Sequence, residues 1–437
     1  MKNYLGSGQC ACKKVHTAAI DEVIIGSGVI SRIPEILQKY NVKKAFLLSD
    51  VNTYAAAGQK VCELLSAAQL PFSQYCFPDK ALEPDEKAVG SAVMHFDHSC
   101  DFVISVGSGV INDIGKIVSR ISGRRYMIVA TAPSMDGYAS ATSSMSMDGL
   151  KISLSSRCAD VIVGDTDILK NAPEHMLKAG LGDMLAKYVS IAEWRIGHLI
   201  TGEYYCEAVA ELIRGALKKC VDNAEGLLKR EDTAIEAVFE GLVIGGIAMA
   251  YAGVSRPASG VEHYFSHVWD MRGLEFGTKV DLHGIQCAMG TSVAVRLYEA
   301  VKTIRPDSEK AMKYVDNFRY EDWCSQLRRF LGKGADTMIA LEAKEQKYSK
   351  TAHKARYEII EKNWDSILKI LKEELPSYAE LKRILDVIGI SDNLSYLDID
   401  TETAKLTFKA TKDIRDKYIL SRLAWDLGIL DELCEII

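Results

Sequence analysis

What this chain lacks narrows its function before any motif is read. Positive charge is not in excess: 59 acidic against 53 basic residues leave a formal net charge of −6 over 437 residues, which argues against a nucleic-acid or anionic-membrane partner. A small anionic substrate remains open, since it needs only a local cluster of donors. Paired cysteines are also missing. Eleven cysteines, an odd number, are scattered from Cys10 to Cys434. Only Cys10-Ala11-Cys12 is close-spaced, with no matching pair elsewhere to complete a zinc site. Reduced thiols in a cytosol are therefore expected. The opening residues show no basic region followed by an apolar run, so no signal peptide is expected. The longest uncharged stretch, Gly241 to Val254, is too short and too glycine-rich to span a bilayer and reads as a buried core helix. No internal repeat or low-complexity linker interrupts the chain. The expectation is a cytoplasmic protein with no nucleic-acid partner and no membrane insertion.

What is present is ordinary globular composition, 48% apolar and 26% charged, in a chain long enough for two domains. Short β-branched runs alternate with helical patterns in the first part: Glu22 to Ile25, Lys44 to Asp50, Phe102 to Val106, Tyr126 to Ala130 and Val161 to Asp165 read as strands. From Ile168 onward the patterns are helical, over Met184–Ile196, Glu203–Leu228, Ala234–Ala252, Ile285–Val301, Tyr357–Leu371 and Asp416–Leu427. The reading is an α/β, Rossmann-like dinucleotide-binding domain over residues 1–167, followed by an all-α, metal-binding domain over residues 168–437. The Lys- and Glu-dense run from Glu342 to Lys362 reads as a solvated helix face.

Two strand–glycine–helix turns could cradle a pyrophosphate at the positive end of a helix. One is Gly26-Ser27-Gly28; the other is Gly107-Ser108-Gly109, with Asn112 where the usual fingerprint has a third glycine. The later turn is favoured because polar Asp113 and Lys116 accompany it and a loop of small and hydroxyl residues, Thr131 to Ser144, follows the next strand. Gly107, Ser108, Gly109 and Asp113 are cofactor candidates, with Ser140 from that loop. Asp136, the one acid in that loop, is the candidate for holding a substrate hydroxyl. Asp50, at a strand end, could accept from ribose hydroxyls and repel a 2′-phosphate, which tilts the cofactor toward NAD(H) over NADP(H).

In the helical half, Asp183 follows Gly182 at the start of a pattern, His263 and His267 lie four apart on one helix face, and His283 opens another helix. One carboxylate and two or three imidazoles can hold a divalent metal with open positions for substrate. Histidines four apart are also common as surface or hydrogen-bonded core residues, and spacing leaves the choice among them open.

These motifs resemble the sn-glycerol-1-phosphate dehydrogenases of the iron-containing alcohol dehydrogenase and dehydroquinate synthase superfamily. The marks are Val106-Gly-Ser-Gly-Val-Ile-Asn-Asp113, Thr131-Ala-Pro-Ser-Met-Asp-Gly-Tyr-Ala-Ser140, Gly182-Asp183, Ser255-Arg-Pro-Ala-Ser-Gly-Val-Glu-His263 and His283-Gly284. The Ala-Pro-Ser-Met-Asp-Gly and Arg-Pro-Ala-Ser-Gly runs are similar to the bacterial branch. The resemblance implies that Asp183, His263 and His283 bind one divalent ion, zinc or nickel. It also implies that Gly107 to Gly109, Asp50, Thr131 and Ser134 contact NAD(H) and that Asp136 contacts substrate. His267 then acts beside the metal as a relay to solvent. The activity implied is reversible reduction of dihydroxyacetone phosphate to sn-glycerol 1-phosphate, in a homodimer or larger homo-oligomer, with Lys187 and Arg256 as candidate cations for the phosphate. The rival readings are a polyol dehydrogenase on unphosphorylated glycerol, a dehydroquinate synthase-like cyclase that uses NAD transiently, and a non-catalytic NAD-binding scaffold.

Overall fold

The computed structural model describes residues 10–147 and 150–437. They form two compact units, one built from the described part of 1–184 with 211–254 and the other from 185–210 with 255–437. The strands end with the run at Asp165, as the change of pattern near residue 167 implies, but the grouping of helices differs from a single cut there. The helix Asp232–Ala252 packs with the strand-bearing unit; it carries no charged residue from Gly241 onward, and Ile235, Phe239, Leu242 and Ile247 are all buried. It is the one described helix long and apolar enough to cross a membrane, and most of its apolar length is buried inside the protein.

The first unit is organised on a parallel sheet of β1 (Glu22–Gly26), β2 (Ala45–Asp50), β3 (Phe72–Phe77), β4 (Phe102–Gly107), β5 (Arg125–Ala130) and β8 (Val161–Asp165), in the order β1-β8-β5-β4-β2-β3. Strands β2, β4 and β8 are buried along their whole length, which is why they read as unbroken apolar runs without alternation. β3, an edge strand, lies outside the runs named from sequence: Phe72-Ser-Gln-Tyr-Cys-Phe77 mixes polar and aromatic residues and is half-buried. The chain leaves β2 toward β3 on one side, and leaves β4 toward β5 on the other. The connections therefore diverge between β2 and β4, where Leu48 pairs with Ser105, and the crevice at their carboxyl ends is where open α/β sheets bind ligands. Asp50 and Gly107 end these two strands.

A separate antiparallel hairpin joins β6 (Thr142–Met147) to β7 (Leu150–Ser155). The serine-rich stretch after Ser140, expected to continue as loop, thus becomes a strand, because its alternation of Ser143 and Met145 inward with Thr142 and Ser144 outward matches a half-buried sheet face.

The second unit is helical throughout its described residues. The helices that bear on function are Lys187–Thr201, Val261–Phe276 and His283–Val301. One of its cores gathers Val268, Trp323, Leu327, Phe330, Leu331 and Met338. Two expectations need correction. The pattern Tyr357–Leu371 is two helices, Lys350–Lys362 and Trp364–Glu374, divided at Asn363, whose side chain donates to the Ile359 carbonyl and ends the first. Nor is the Glu342 to Lys362 run wholly solvated: Glu342, His353, Tyr357 and Ile360 are buried beneath its charged face.

Candidate active site

Of the two glycine turns, the earlier is already filled by the protein's own carboxylate. Asp165, at the end of β8 and 1% exposed, accepts from Gly28 N at 3.2 Å and Asp167 N at 3.0 Å through Oδ1, and from Ile30 N at 2.9 Å through Oδ2. Those amides point at an internal anion, so they do not serve a pyrophosphate. The later turn is built differently. Gly107 ends β4, Ser108 caps the helix Gly109–Ser122 by accepting from Gly109 N, and that helix is long enough for a working dipole. A side chain at Gly107 would place Cβ 2.5 Å from Cβ of Ile111, so only glycine lets the strand turn this tightly into the helix. Ser134, buried, brings its hydroxyl within 3.3 Å of Ser108 Oγ, and buried Thr131 donates its amide to the Gly107 carbonyl.

Other predicted cofactor residues have structural partners. Asp50 caps the helical turn Val51–Thr53, its Oδ1 accepting from Asn52 N at 2.8 Å and Thr53 N at 2.9 Å. Asp113 faces the hairpin, accepting from Lys116 Nζ and Ser144 N, and burial raises its carboxyl above the usual range. Ser140 shapes the entry to β6 by accepting from Thr142 N.

The loop carrying Asp136 is seated by close backbone approach. A Cβ at Gly180 would meet the Pro133 carbonyl oxygen at 1.8 Å, and one at Gly246 would meet Ala139 Cβ at 2.6 Å. The Asp136 amide then donates to Oδ2 of Asp183, 2.9 Å away; Asp183 is fully buried on the helix Glu174–Leu185. The structure thus joins, in the first unit, the residue predicted to hold substrate and the carboxylate predicted to hold metal.

His263, His267 and His283 belong to the second unit. The rings of His263 and His283 are 5.0 Å apart, and that of His267 is 6.2 Å from His283. Each of the two predicted ligands has Nδ1 engaged: His263 Nδ1 lies 2.8 Å from Glu262 Oε1, and His283 Nδ1 lies 3.1 Å from Ser266 Oγ. In tautomers that donate from Nδ1, Nε2 carries the lone pair a metal needs. Cys287 lies with them, its sulfur 3.5 Å from His283 Nε2. His267 is held well below the usual imidazole range by desolvation, with Arg415 and the other two imidazoles adding to it.

Sequence reasoning assigned no role to Glu262, Glu193 or Ser266. Glu262 is fully buried and folds back on the helix start to accept from Gly260 N, leaving Oε2 without a hydrogen-bond partner among the described residues. Glu193 accepts from Val261 N, Tyr298 Oη and Leu420 N. Burial pushes both carboxyls up, and each sits against Gly260, where a Cβ would lie 2.5 Å from Glu193 Oε2 and 2.8 Å from Glu262 Oε2. The signal for Glu262 was present in Ser255-Arg-Pro-Ala-Ser-Gly-Val-Glu-His263, where the acid immediately precedes the histidine; Glu193, 68 residues from the Val261 amide it accepts from, carried none.

Neither predicted phosphate cation is posed for that role. Arg256, 2% exposed, pairs through Nε and Nη2 with the Glu203 carboxylate and donates to the Tyr418 carbonyl, over a bare Gly197. Lys187 is buried with Nζ donating to the Ala258 carbonyl at 3.1 Å. Both brace the segment that leads into His263.

Comparison with known proteins identifies the family. Residues 24–173 match the iron-containing alcohol dehydrogenase family. The chain is 30% identical over 373 residues to a glycerol-1-phosphate dehydrogenase [NAD(P)+] of Halalkalibacterium halodurans, covering 80% of this chain and 93% of that protein. It is 31% identical to the enzyme of the same name from Methanosarcina mazei, covering 63% and 76%. Among solved structures, glycerol dehydrogenase from Schizosaccharomyces pombe superposes with a TM-score of 0.58 at 16% identity, over 97% of this chain and 91% of that one. Sulfoacetaldehyde reductase from Bifidobacterium kashiwanohense, in complex with NAD+, gives 0.61 at 13% identity over 96% and 98%. At such identities the structural likeness establishes the fold, while the sequence likeness is closer and spans nearly the whole of the bacterial relative. The chain belongs to the family of NAD(P)+-dependent glycerol-1-phosphate dehydrogenases, within the iron-containing alcohol dehydrogenases.

Proposed function

We propose that this protein reduces dihydroxyacetone phosphate reversibly to sn-glycerol 1-phosphate with NADH or NADPH, using one divalent metal held by Asp183, His263 and His283. The observation that carries the reading is the placement of the two imidazoles in a chain 30% identical to such an enzyme over 93% of its length: both have Nδ1 engaged by a neighbouring oxygen, and the tautomer that donates there leaves Nε2 for a metal. A buried carboxylate with two such rings is a donor set that fits a divalent ion of borderline softness. Glu262, bonded to His263, supplies the outer carboxylate that raises ligand basicity.

The bound ion would polarise the ketone oxygen and stabilise the negative charge that develops as hydride arrives. The Gly107 turn and the amides that open its helix would receive the cofactor pyrophosphate. The Asp136 carboxylate would orient the substrate's terminal hydroxyl. His267, kept neutral by desolvation, would pass a proton between solvent and the product oxygen. A nicotinamide held there would supply the hydride to the ketone carbon, and one proton would reach its oxygen. With Arg256 committed to Glu203, the phosphate falls to backbone amides at helix N-termini.

The test is NADH oxidation followed by absorbance with dihydroxyacetone phosphate, dihydroxyacetone or glyceraldehyde phosphate, after chelation and metal re-addition. A strong preference for dihydroxyacetone phosphate is expected, because remote phosphate binding can be used at the reacting carbon. Equal rates with dihydroxyacetone would support the polyol reading instead, and a product identified as sn-glycerol 3-phosphate would reject the assigned stereochemistry.

A further inference from the structure

The close-spaced cysteines near the start of the chain are not explained by this activity. Cys10-Ala-Cys12 has no second cysteine pair in the sequence, but the chain turns back on itself directly after it: Lys13 N donates to the Cys10 carbonyl at 2.8 Å, Cys10 N donates to the Lys14 carbonyl at 3.1 Å, and Lys13 adopts a left-handed φ of 68°. The turn returns His16 to the sulfurs. Cys12 Sγ and His16 Nε2 are 3.4 Å apart, and both cysteine sulfurs and a nitrogen of that ring lie within 4.8 Å of one another.

The imidazole is also oriented. His16 is buried, stacks on Tyr251 with ring centroids 5.3 Å apart, and has Nδ1 3.0 Å from the Tyr251 carbonyl oxygen. Tyr251 lies in the last turn of the helix Asp232–Ala252, where carbonyls have no partner further along the helix. A carbonyl only accepts, so Nδ1 is the donor and Nε2 carries the lone pair, directed at Cys12. Histidine ligands in metal sites are commonly fixed this way, by a carbonyl on the other ring nitrogen.

We propose that Cys10, Cys12 and His16 form a second metal site, for a soft divalent ion, zinc by preference, distinct from the catalytic one. Zinc–sulfur and zinc–nitrogen bonds of about 2.3 and 2.0 Å at a tetrahedral angle put sulfur and nitrogen roughly 3.5 Å apart, close to the observed Cys12–His16 separation. Two thiolates neutralise the ion's charge, so the site can sit half-buried without a counter-ion. Water or another of the chain's thiols takes the fourth position. The site ties the start of the chain to the end of the central helix of the first unit, which gives it a structural role. An S–H···N hydrogen bond would give the same separation, and the experiment is chosen to tell the two apart.

The full-length protein is stripped with chelator and reconstituted with Co2+, whose bonds to thiolate give a near-ultraviolet charge-transfer band that carboxylate and imidazole ligands do not. The band is expected in the wild type. Cys10→Ser and Cys12→Ser should abolish it, while Cys287→Ser, which removes the thiol beside His283, should keep it. His16→Cys should retain it with greater intensity, since it supplies a third thiolate; a hydrogen-bonding role would predict no band in any of them. Metal analysis of the zinc-loaded protein should fall from two equivalents per chain to one in Cys12→Ser, with turnover of dihydroxyacetone phosphate within about twofold of wild type. No band in the wild type, a band that survives both serine variants, or a mass showing Cys10 and Cys12 joined as a disulfide would overturn the proposal. If the serine variants are insoluble, a zinc-dependent rise in the wild-type melting temperature that disappears in His16→Gln gives the same decision. Failure here leaves the catalytic assignment untouched, because that assignment uses none of these residues.

Discussion

Replacing Asp165 separates the two glycine turns experimentally. In Asp165→Ala the turn at Gly26–Gly28 loses the acceptor for three backbone amides: Gly28, Ile30 and Asp167. Gly28 is exposed, so water can take over its bond at little cost. Ile30 is buried, and an amide left there without an acceptor costs about 1–3 kcal/mol. Asp165 also caps the helix Thr166–Leu169 through Asp167 N, and losing a cap costs about 1 kcal/mol. The total is roughly 3 kcal/mol, or a fall of about 6–12 °C in the melting transition of the first unit at the sensitivity of domains near that size. Scanning calorimetry reads the shift, and steady-state kinetics on the folded variant reads the Michaelis constant for NADH, which should stay within about twofold. Gly107→Ala is the counterpart: its new Cβ sits against Ile111 and displaces the turn proposed to meet the pyrophosphate, so the constant should rise at least tenfold. If instead Asp165→Ala raises the constant and Gly107→Ala leaves it unchanged, the cofactor lies at the earlier turn and the assignment of Gly107, Ser108 and Gly109 is wrong.

Three further outcomes are expected. Asp50→Asn keeps the Oδ1 acceptor that caps Val51–Thr53 but removes the charge, so it should narrow the preference for NADH over NADPH without changing stability, whereas Asp50→Ala should also cost about 1 kcal/mol; an unchanged cofactor ratio in both would take Asp50 off the ribose. His263→Ala should strip most catalytic metal while His267→Ala keeps it and slows proton delivery. Metal retained in the His263 variant would dismantle the ligand set. Lys412, buried beside Asp413 and over the Trp323 ring, has its ammonium pushed down to about 8, chiefly by burial. Below pH 8 both folded and unfolded chains carry its proton and the fold bears the full desolvation cost. As pH rises from 8 toward 10.4 the folded state releases the proton first, so stability from this group should increase, by at most about 3 kcal/mol. Urea titrations across that range should show the rise in wild type and its loss in Lys412→Met; equal slopes would refute it.

Much of this architecture is legible in the sequence because the signals are local. β2, β4, β5 and β8 announce themselves as short apolar runs, and the Asp232–Ala252 helix as an uncharged stretch. What the sequence hides is pairing at a distance. Nothing near Gly28 says that its amide answers to Asp165, 137 residues away, and nothing near Arg256 says that Glu203 claims it, 53 residues away. Both residue types look available in sequence for ligands they do not face. The β6 and β7 hairpin was obscured for another reason: serines suit loops and half-exposed strands alike, and the inward Ser143 and Met145 decide only once a hairpin partner is present.

The two histidines of one helix show where local reading can be sharpened. A spacing of four places His263 and His267 on the same face and cannot rank them. The difference lies one residue earlier in each case. Glu262 stands in the first turn of its helix, where the Gly260 amide has no helical acceptor, so its side chain bends back to receive that hydrogen and brings Oε1 to His263 Nδ1. Ser266, before His267, lies a full turn further on and reaches across to His283 instead. In this chain the acid in the first helical turn engages Nδ1 of the histidine directly after it, and the hydroxyl one turn on engages Nδ1 of the histidine on the neighbouring helix. On the proposed reading, His263 and His283 would be the pair for the metal, and His267, whose preceding residue Ser266 faces His283 instead, would be left to move a proton.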